Sequence, residues 1–593
     1  MFPNLKTRLR TNFSKCLYTL AAIMVLNTNT NAQGTWTKMQ DASIDSCAGV
    51  MLLLTDGTVI VKTAVGGGDV YGNGWNKIIP DIHGSYINGI WSRIQPMNDT
   101  RLYFSSQVLK DGRVYVAGGE YGSGRNRGEI YDPIADQWNP AGPLTDLNDT
   151  ISDANSEILD DGRVLQAVVL SNHSVSRKTY LFDPVTNSYT PGPSTLGVAN
   201  ESAWMKLPDN SLLFVDIFSN NSERYLPDSN KWVRDSTVPV ALYDPYGYET
   251  GSAFLLPNGK AFFLGSSGNT AYYNPSGNSH PGSWTAGPKI PDTLGAPDAA
   301  AAMMVNGKIL CALSPIPKPG NVFQRPMYFY EFDYRTNTFT KVHAPTAGVK
   351  DSINKAAFLS NMLCLPDGNI LFGCQGNGQY YVYTPDGSPM SSGRPIVDSI
   401  IKVNCDTFIA TGKLFNGITE GACYGDDWQM STNFPIVRIS RNDTVYYART
   451  FGWNTFGVMR GAKPDTTSFS LPDGLPIGTY SLQVVANGNA SIPVPFEVCS
   501  YLGTDHIKDI AEGMAIYPNP ASETAIVEFN SNHTGNTNIR VQDVLGRVVS
   551  ERNEKTIQGK NIFDLNIHGL NKGIYTVNLV SGSKVYNSRL VIR

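Results

Sequence analysis

The sequence predicts an all-β protein: a seven-bladed propeller, then a β-sandwich, then a second and smaller β-sandwich. Three observations predict it. One pattern recurs seven times at a spacing of about 50 residues: an apolar strand, a tight turn of the Asp-Gly type, and a second apolar strand. A segment of alternating apolar and polar residues with a different period follows. Gly 56 and Pro 36 are spread along 593 residues and charged residues reach only 17%, below the usual quarter, which suits short strands and turns. Lys+Arg at 47 against Asp+Glu at 51 gives a net charge of −4. That lacks the basic excess a nucleic-acid partner requires, so no nucleic acid is expected.

The chain opens with Lys6, Arg8, Arg10 and Lys15, then an apolar run over 16–26, then polar residues ending Thr30-Asn31-Ala32. This is the order of a secretory signal peptide over residues 1–32, with cleavage expected after Ala32. The run is shorter than the roughly 20 apolar residues a spanning helix needs, and no later segment is longer, so no transmembrane helix is expected. Past Cys16 stand Cys47, Cys311, Cys364, Cys374, Cys405, Cys423 and Cys499. Their number is odd, so at least one is expected outside a disulfide. No CxxC pair points to zinc.

The repeat turns fall at Asp56-Gly57, Asp111-Gly112, Asp161-Gly162, Asp209-Asn210, Asn258-Gly259, Asn306-Gly307 and Asp367-Gly368. Such pairs suit tight hairpin turns because both residues tolerate positive φ. The spacing is that of four-stranded kelch blades. Fourth strands open with Trp91, Trp138, Tyr189, Trp232, Trp284 and Phe339, six aromatics for seven turns. The seventh stands at the beginning: Trp36 reads as a fourth strand with no blade before it, while the last repeat stops after its third strand. The N-terminal strand is therefore expected to close the seventh blade of a kelch propeller over residues 33–392, removing an open sheet edge.

After Gly393-Arg394-Pro395 the period changes, and segments such as Tyr480-Ser481-Leu482-Gln483-Val484-Val485 continue the alternation to residue 499. About 100 residues of this pattern predict an Ig-like sandwich over 393–499. Residues 500–513 read as a linker. Residues 514–593 carry Ile516-Tyr517-Pro518-Asn519-Pro520-Ala521, Val541-Gln542-Asp543-Val544-Leu545-Gly546-Arg547 and Leu570-Asn571-Lys572-Gly573-Ile574-Tyr575, then a basic end. In that order at the C-terminus, these motifs resemble the sorting domain of cargo of the type IX secretion system in Bacteroidetes. The resemblance implies the type IX machinery as a partner, with release from the cell or attachment at its outer surface.

Residues 34–498 resemble the galactose oxidase and glyoxal oxidase group, a seven-bladed kelch propeller followed by an early-set Ig-like domain. The matching stretches are Tyr103-Phe104-Ser105-Ser106 before Asp111-Gly112-Arg113-Val114, and Thr467-Ser468-Phe469-Ser470-Leu471-Pro472 through Gly478-Thr479-Tyr480. Those oxidases hold one copper with two tyrosines and two histidines, one tyrosine joined through a thioether to a cysteine. The resemblance puts Cys47 at the cross-linking cysteine, Tyr103 at its tyrosine, and Tyr121 at the aromatic stacked over the pair. The other ligands are not retained. Phe358-Leu359-Ser360 stands where the family has Tyr-His-Ser, and the hairpin that should supply the last histidine reads Cys423-Tyr424-Gly425-Asp426-Asp427-Trp428. Copper(II) favours imidazole and oxygen donors, so copper is expected to be absent, and Cys47 and Tyr103 to be a remnant of the cross-link.

A residue at a fixed distance before each turn occupies the same height on each innermost strand. Eight residues before the turn stand Tyr103, Asp153, Glu201 and Asp298; Glu249 stands nine before. They are expected around one rim of the central channel, joined by Asp426 and Asp427 if the Ig-like hairpin reaches it, with Trp428 and Trp453 as candidate sugar platforms. Clustered carboxylates repel, so they need a cation, hydrogen-bond donors or protonation. Asp153, Glu201, Glu249 and Asp298 are the candidate ligands for Ca²⁺. They equally suit a cationic or polyhydroxyl ligand, a hydrated channel mouth with no ligand, or the acid/base pair of a glycoside-cleaving enzyme.

The sequence thus favours a secreted or surface-displayed, non-catalytic propeller protein that binds an extracellular ligand such as a glycan at the channel mouth facing the Ig-like domain. Its candidate residues are Tyr103, Tyr121, Asp153, Glu201, Glu249, Asp298, Asp426, Asp427 and Trp428, with no cofactor expected and Ca²⁺ the one metal candidate. The main alternative is an enzyme: a divergent oxidase using the Cys47 and Tyr103 remnant, or a carbohydrate hydrolase or lyase using the acidic ring; a third is purely structural adhesion.

Overall fold

The computed structural model describes residues 33–65, 71–171, 175–200, 202–346, 350–421, 432–498, 514–531, 534–543, 546–581 and 584–593. The segments expected to be a signal peptide, 1–32, and a linker, 500–513, lie outside them. The chain divides into two units, one ending at Val498 and one beginning at Cys499.

The first unit contains seven antiparallel blades of four strands each, blade five extended by the short strand Glu420–Gly421 and blade six by Leu294–Gly295 and Ser352–Ile353. In blade one Cys47–Leu53, Val59–Thr63, Trp75–Ile79 and Ile90–Ile94 pair in chain order, and blades two to six repeat that order. Blade seven takes Ser360–Cys364, Ile370–Cys374 and Tyr381–Thr384 from the end of the repeats, and Thr35–Lys38 from the N-terminus, with Trp36 opposite Tyr383. The tight turns explain the hairpins: Gly57 sits at φ 78° and Asn210, its counterpart in blade four, at φ 65°, a region open to glycine and tolerated by asparagine. Each fourth-strand aromatic from blade two onward faces an aromatic on the third strand. Trp138 faces Tyr131, Tyr189 Phe182, Trp232 Tyr225, Trp284 Tyr273 and Phe339 Phe332. Ring centroids lie 4.5 to 5.5 Å apart, and such pairs contribute about 0.5–1.5 kcal/mol each beyond their burial.

The Ig-like sandwich follows. Ile396–Lys402, Thr407–Lys413 and Asp465–Ser470 form one sheet, and Ile436–Arg441, Gly478–Ala486 and Val494–Val498 the other. Thr444–Phe451 pairs with the second sheet up to Ala448 and with the first from Arg449. Phe408, Val437, Ile439, Phe469, Leu482 and Phe496 fill the space between the sheets.

This sandwich packs on the turn end of the propeller. Thr450 N–H donates to the Thr55 carbonyl at 3.2 Å, Gly452 N–H to the Lys110 carbonyl at 2.6 Å, and Phe456 N–H to Asp160 at 2.9 Å. It also sends a short strand, Glu420–Gly421, into the channel, where it pairs with Phe254 and Leu255 on the innermost strand of blade five.

The second unit has a three-stranded sheet, Met514–Tyr517, Thr524–Ser531 and Gly559–Asn566, and a four-stranded sheet, Val548–Thr556, Gly535–Gln542, Gly573–Ser581 and Lys584–Ile592. Val527, Phe529, Ile539, Leu565, Val577 and Leu579 form its core. Among the described residues no helix is long and apolar enough to cross a membrane.

Candidate functional site

At the end of the propeller away from the turns, the chain arriving from an outer strand must bend sharply to descend the next inner strand. At three of these bends the residue is left-handed: Tyr103 at φ 53°, Asp153 at φ 50° and Asp298 at φ 47°. All three stand eight residues before their turns. Aspartate tolerates this conformation better than tyrosine, and each such residue costs about 1–3 kcal/mol unless its surroundings hold it. Here the surroundings link blade to blade. Gly119 N–H donates to the Ile151 carbonyl at 2.8 Å, Ala154 forms a bridge with Asn200, and Asp298 N–H donates to the Thr250 carbonyl at 2.9 Å.

These bends enclose a cavity of about 430 Å³ lined by Tyr103, Glu120, Tyr121, Asp153, Glu249 and Asp298, with Ser152 and Asn200 beside them and Phe323 and Phe358 as apolar wall. Tyr121 is largely exposed and meets Tyr103 edge-on, with centroids 6.2 Å apart. The Tyr103 hydroxyl accepts from Gln375 Nε2 at 3.4 Å. Glu249 and Asp298 are buried side chains at the cavity wall.

Of the residues singled out from sequence, Tyr103, Tyr121, Asp153, Glu249 and Asp298 thus come together on one cavity. Cys47 lies in the propeller core with its sulfur beside Tyr380. Glu201, Asp426, Asp427 and Trp428 fall outside the described residues. Two expectations are corrected. Among the described residues no part of the Ig-like domain lines the cavity: that domain packs on the turn end, and the acidic residues sit at the opposite end, where the inner strands begin. Trp453 is no sugar platform, because it is buried and stacked on Phe434 at 5.6 Å.

The copper donor set does not fit this site. Where the resemblance requires a second phenol and an imidazole, Phe358 packs on Phe323 with centroids 4.5 Å apart and Leu359 packs against the propeller core. Among the described residues, no three His, Cys, Asp or Glu side chains are grouped so as to hold a metal ion.

Sequence reasoning missed the group that fixes Tyr103 and Tyr121. Arg101 is fully buried; its Nη1 donates to the carbonyls of Gly118, Gly124 and Arg127 at 2.6 to 2.9 Å and its Nη2 to Glu129 at 3.0 Å. The short strand Arg101–Leu102, immediately before Tyr103, pairs with Tyr121–Gly122. The guanidinium therefore ties the segments on either side of Tyr121 to the short strand that leads into Tyr103.

Deeper in the channel lies a second buried polar group. Lys206 Nζ is 2.8 Å from Glu157 and 3.6 Å from Glu420, the residue supplied by the inserted strand. Burial pushes the Glu420 carboxyl up to about 8 from its ordinary 4.5, Lys206 opposing the rise and Glu157 adding to it. Because the folded-state value lies above the unfolded one, the folded chain retains a proton that the unfolded chain releases. The resulting stabilisation is complete below pH 4.5 and is lost as pH rises through about 8. Melting temperatures are expected to fall more between pH 5 and pH 8 in the native chain than in Glu420→Gln; parallel profiles would contradict this.

Comparison with known proteins bears on both units. Residues 515–593 match the family described as secretion system C-terminal sorting domain, and residues 108–145 match the kelch motif family. Similar solved structures include a "novel fungal alcohol oxidase with catalytic diversity among the AA5 family, in complex with copper", 14% identical, with 79% of this chain and all of that chain covered and a TM-score of 0.48. No curated protein matches. The chain therefore carries a kelch propeller together with a sorting domain that directs it to secretion or to attachment at the outer surface.

Proposed function

We propose that this is a non-catalytic binding protein whose propeller cavity takes one sugar unit, neutral or amine-bearing, of an extracellular glycan. The observation that carries this reading is the convergence of Glu120, Asp153, Glu249 and Asp298, from separate blades, with the exposed ring of Tyr121 on one cavity. Carboxylates accept hydrogen bonds from sugar hydroxyls or ammonium groups, an aromatic face packs against sugar C–H groups, and the volume is that of a small-ligand pocket. Among the described residues no Lys, Arg or His lines the cavity, so a sugar acid meets like charge. The reading needs no cofactor.

Calorimetric titration of the full mature chain should give glucosamine the highest affinity, glucose less and glucuronate none. Asp153→Asn and Asp298→Asn should each weaken glucosamine binding by about tenfold or more, as expected for charged hydrogen bonds, and EDTA should leave it unchanged. Preferred binding of glucuronate, or no sugar binding, would end this reading. Calcium-dependent binding would restore a metal site, and release of reducing ends or peroxide would make the protein an enzyme.

A further inference from the structure

We infer that the cavity is the first of two subsites, and that an aromatic shelf of Phe218, Tyr243 and Tyr248 takes the next sugar ring of the same saccharide, an amino-sugar chain. The inference rests on the saccharide reading above. The connection between blades four and five crosses the rim beside the cavity, and a buried carboxylate shapes it. Asp244 Oδ1 accepts the N–H groups of Tyr246 and Gly247, both at 2.8 Å, and Oδ2 accepts the N–H of Glu249 at 3.0 Å. A methyl group at Gly247 would come within 2.6 Å of Val322, so the loop is fixed against the neighbouring blade as well.

Within this loop the side chains divide. Gly247 and Glu249 line the cavity, whereas Tyr248, between them, is 41% exposed. Tyr248 sits at φ 65°, where a bulky residue is an outlier that its surroundings must impose, and such outliers gather at ligand sites. Phe218, 48% exposed, comes from a blade-four loop fixed by Asp216, which accepts its N–H at 3.0 Å. Its ring lies 4.9 Å from that of Tyr248, and the Tyr243 ring lies 6.3 Å from Tyr248 at 25° to it. Phe218 is tilted 55° against Tyr248, so the three rings on two pinned loops form an apolar ledge with one inclined wall, against which the C–H side of a sugar ring can pack, and the tyrosine hydroxyls leave hydrogen-bonding groups at its edge. Because Tyr248 is bonded to both cavity-lining neighbours, the shelf begins where the cavity ends. A linked ring leaving the cavity on that side meets it directly. The carboxyl groups of the cavity select amine-bearing units for the first position.

The test compares glucosamine with a β-1,4-linked glucosamine oligomer on the full mature chain and on Tyr248→Asn and Phe218→Ala. Asparagine tolerates the left-handed backbone, and melting curves check both folds. The native chain should bind the oligomer about tenfold more tightly than the monomer, the scale of an aromatic contact; both variants should keep the monomer affinity and lose that gain. If the native chain shows no gain, or the variants retain it, the shelf is refuted while the cavity reading stands. If neither sugar binds the native chain, the cavity reading fails and the shelf fails with it.

Discussion

Lys206→Met is expected to destabilise the propeller unit by about 3–5 kcal/mol, the cost of stranding buried charge when one partner of an ion pair is removed. The lysine side chain is 3% exposed, and Glu157 and Glu420 are buried with it. Methionine preserves the volume and much of the shape of the lysine stem, so the loss reports on charge rather than on a cavity. Glu420 already holds its proton at neutral pH, so Glu157 is left as a buried carboxylate without its cation, and it must take up a proton or water must enter. Because Glu420 belongs to the strand that pairs with Phe254 and Leu255, hydrogen exchange at Glu420–Gly421 and Ala253–Leu255 should accelerate along with the fall in the urea midpoint. Adding Glu157→Gln to Lys206→Met should recover part of the loss by removing the stranded carboxylate. Unchanged denaturation and exchange in Lys206→Met would show that the triad contributes nothing to holding the inserted strand.

That triad also marks where sequence reasoning stops. A signal was present: three residues before the turn the repeats carry Leu53, Val108, Ile158, Leu255, Met303 and Cys364, and Lys206 stands alone as a charge among them. Its partner Glu420 is more than two hundred residues away in another domain, and no repeat register can pair them. The blades were legible because each turn needs positive φ, which restricts it to a few residue types. The rim was legible because one register fixes the height of Tyr103, Asp153 and Asp298. Height alone does not say which end the Ig-like domain covers, and on that point the sequence misled. The aromatic shelf was hidden for a related reason: Phe218 and Tyr248 meet through two loops whose shape depends on Asp216 and Asp244 accepting backbone N–H groups, which no periodicity records.

The two ends of the propeller consequently do different work. The turn end is closed by the Ig-like domain and by the strand it inserts, so its sequence is committed to packing. The opposite end is built from bends that place left-handed residues around a cavity, conformations that persist only on a rigid support. That rigidity depends on the ring being shut.

Removing residues 33–38 is therefore expected to have the largest effect of all. Thr35–Lys38 is the fourth strand of blade seven, and without it Tyr381–Thr384 becomes an unpaired edge, the kind of surface on which chains associate. Trp36 does more than fill a place in the sheet. Its ring lies 4.7 Å from Tyr383 and 5.4 Å from Phe372 in blade seven, and 5.4 Å from Phe329 in blade six, and its Nε1–H donates to the His343 carbonyl at 2.7 Å. Trp36→Ala alone should cost about 2–3 kcal/mol, less than the truncation of a fully buried tryptophan because Trp36 is half-buried. The deletion removes in addition four residues of strand pairing and the contact between Gly34 N–H and Glu331, so its loss should exceed that of the point variant. Light scattering after gel filtration should find the deletion variant in larger assemblies than the native chain through the exposed edge, while Trp36→Ala keeps the native mass and melts earlier. If the deletion variant has the native mass and melts with the native chain, the N-terminal strand does not close the ring in solution, and the rigid rim on which the cavity depends must have another source.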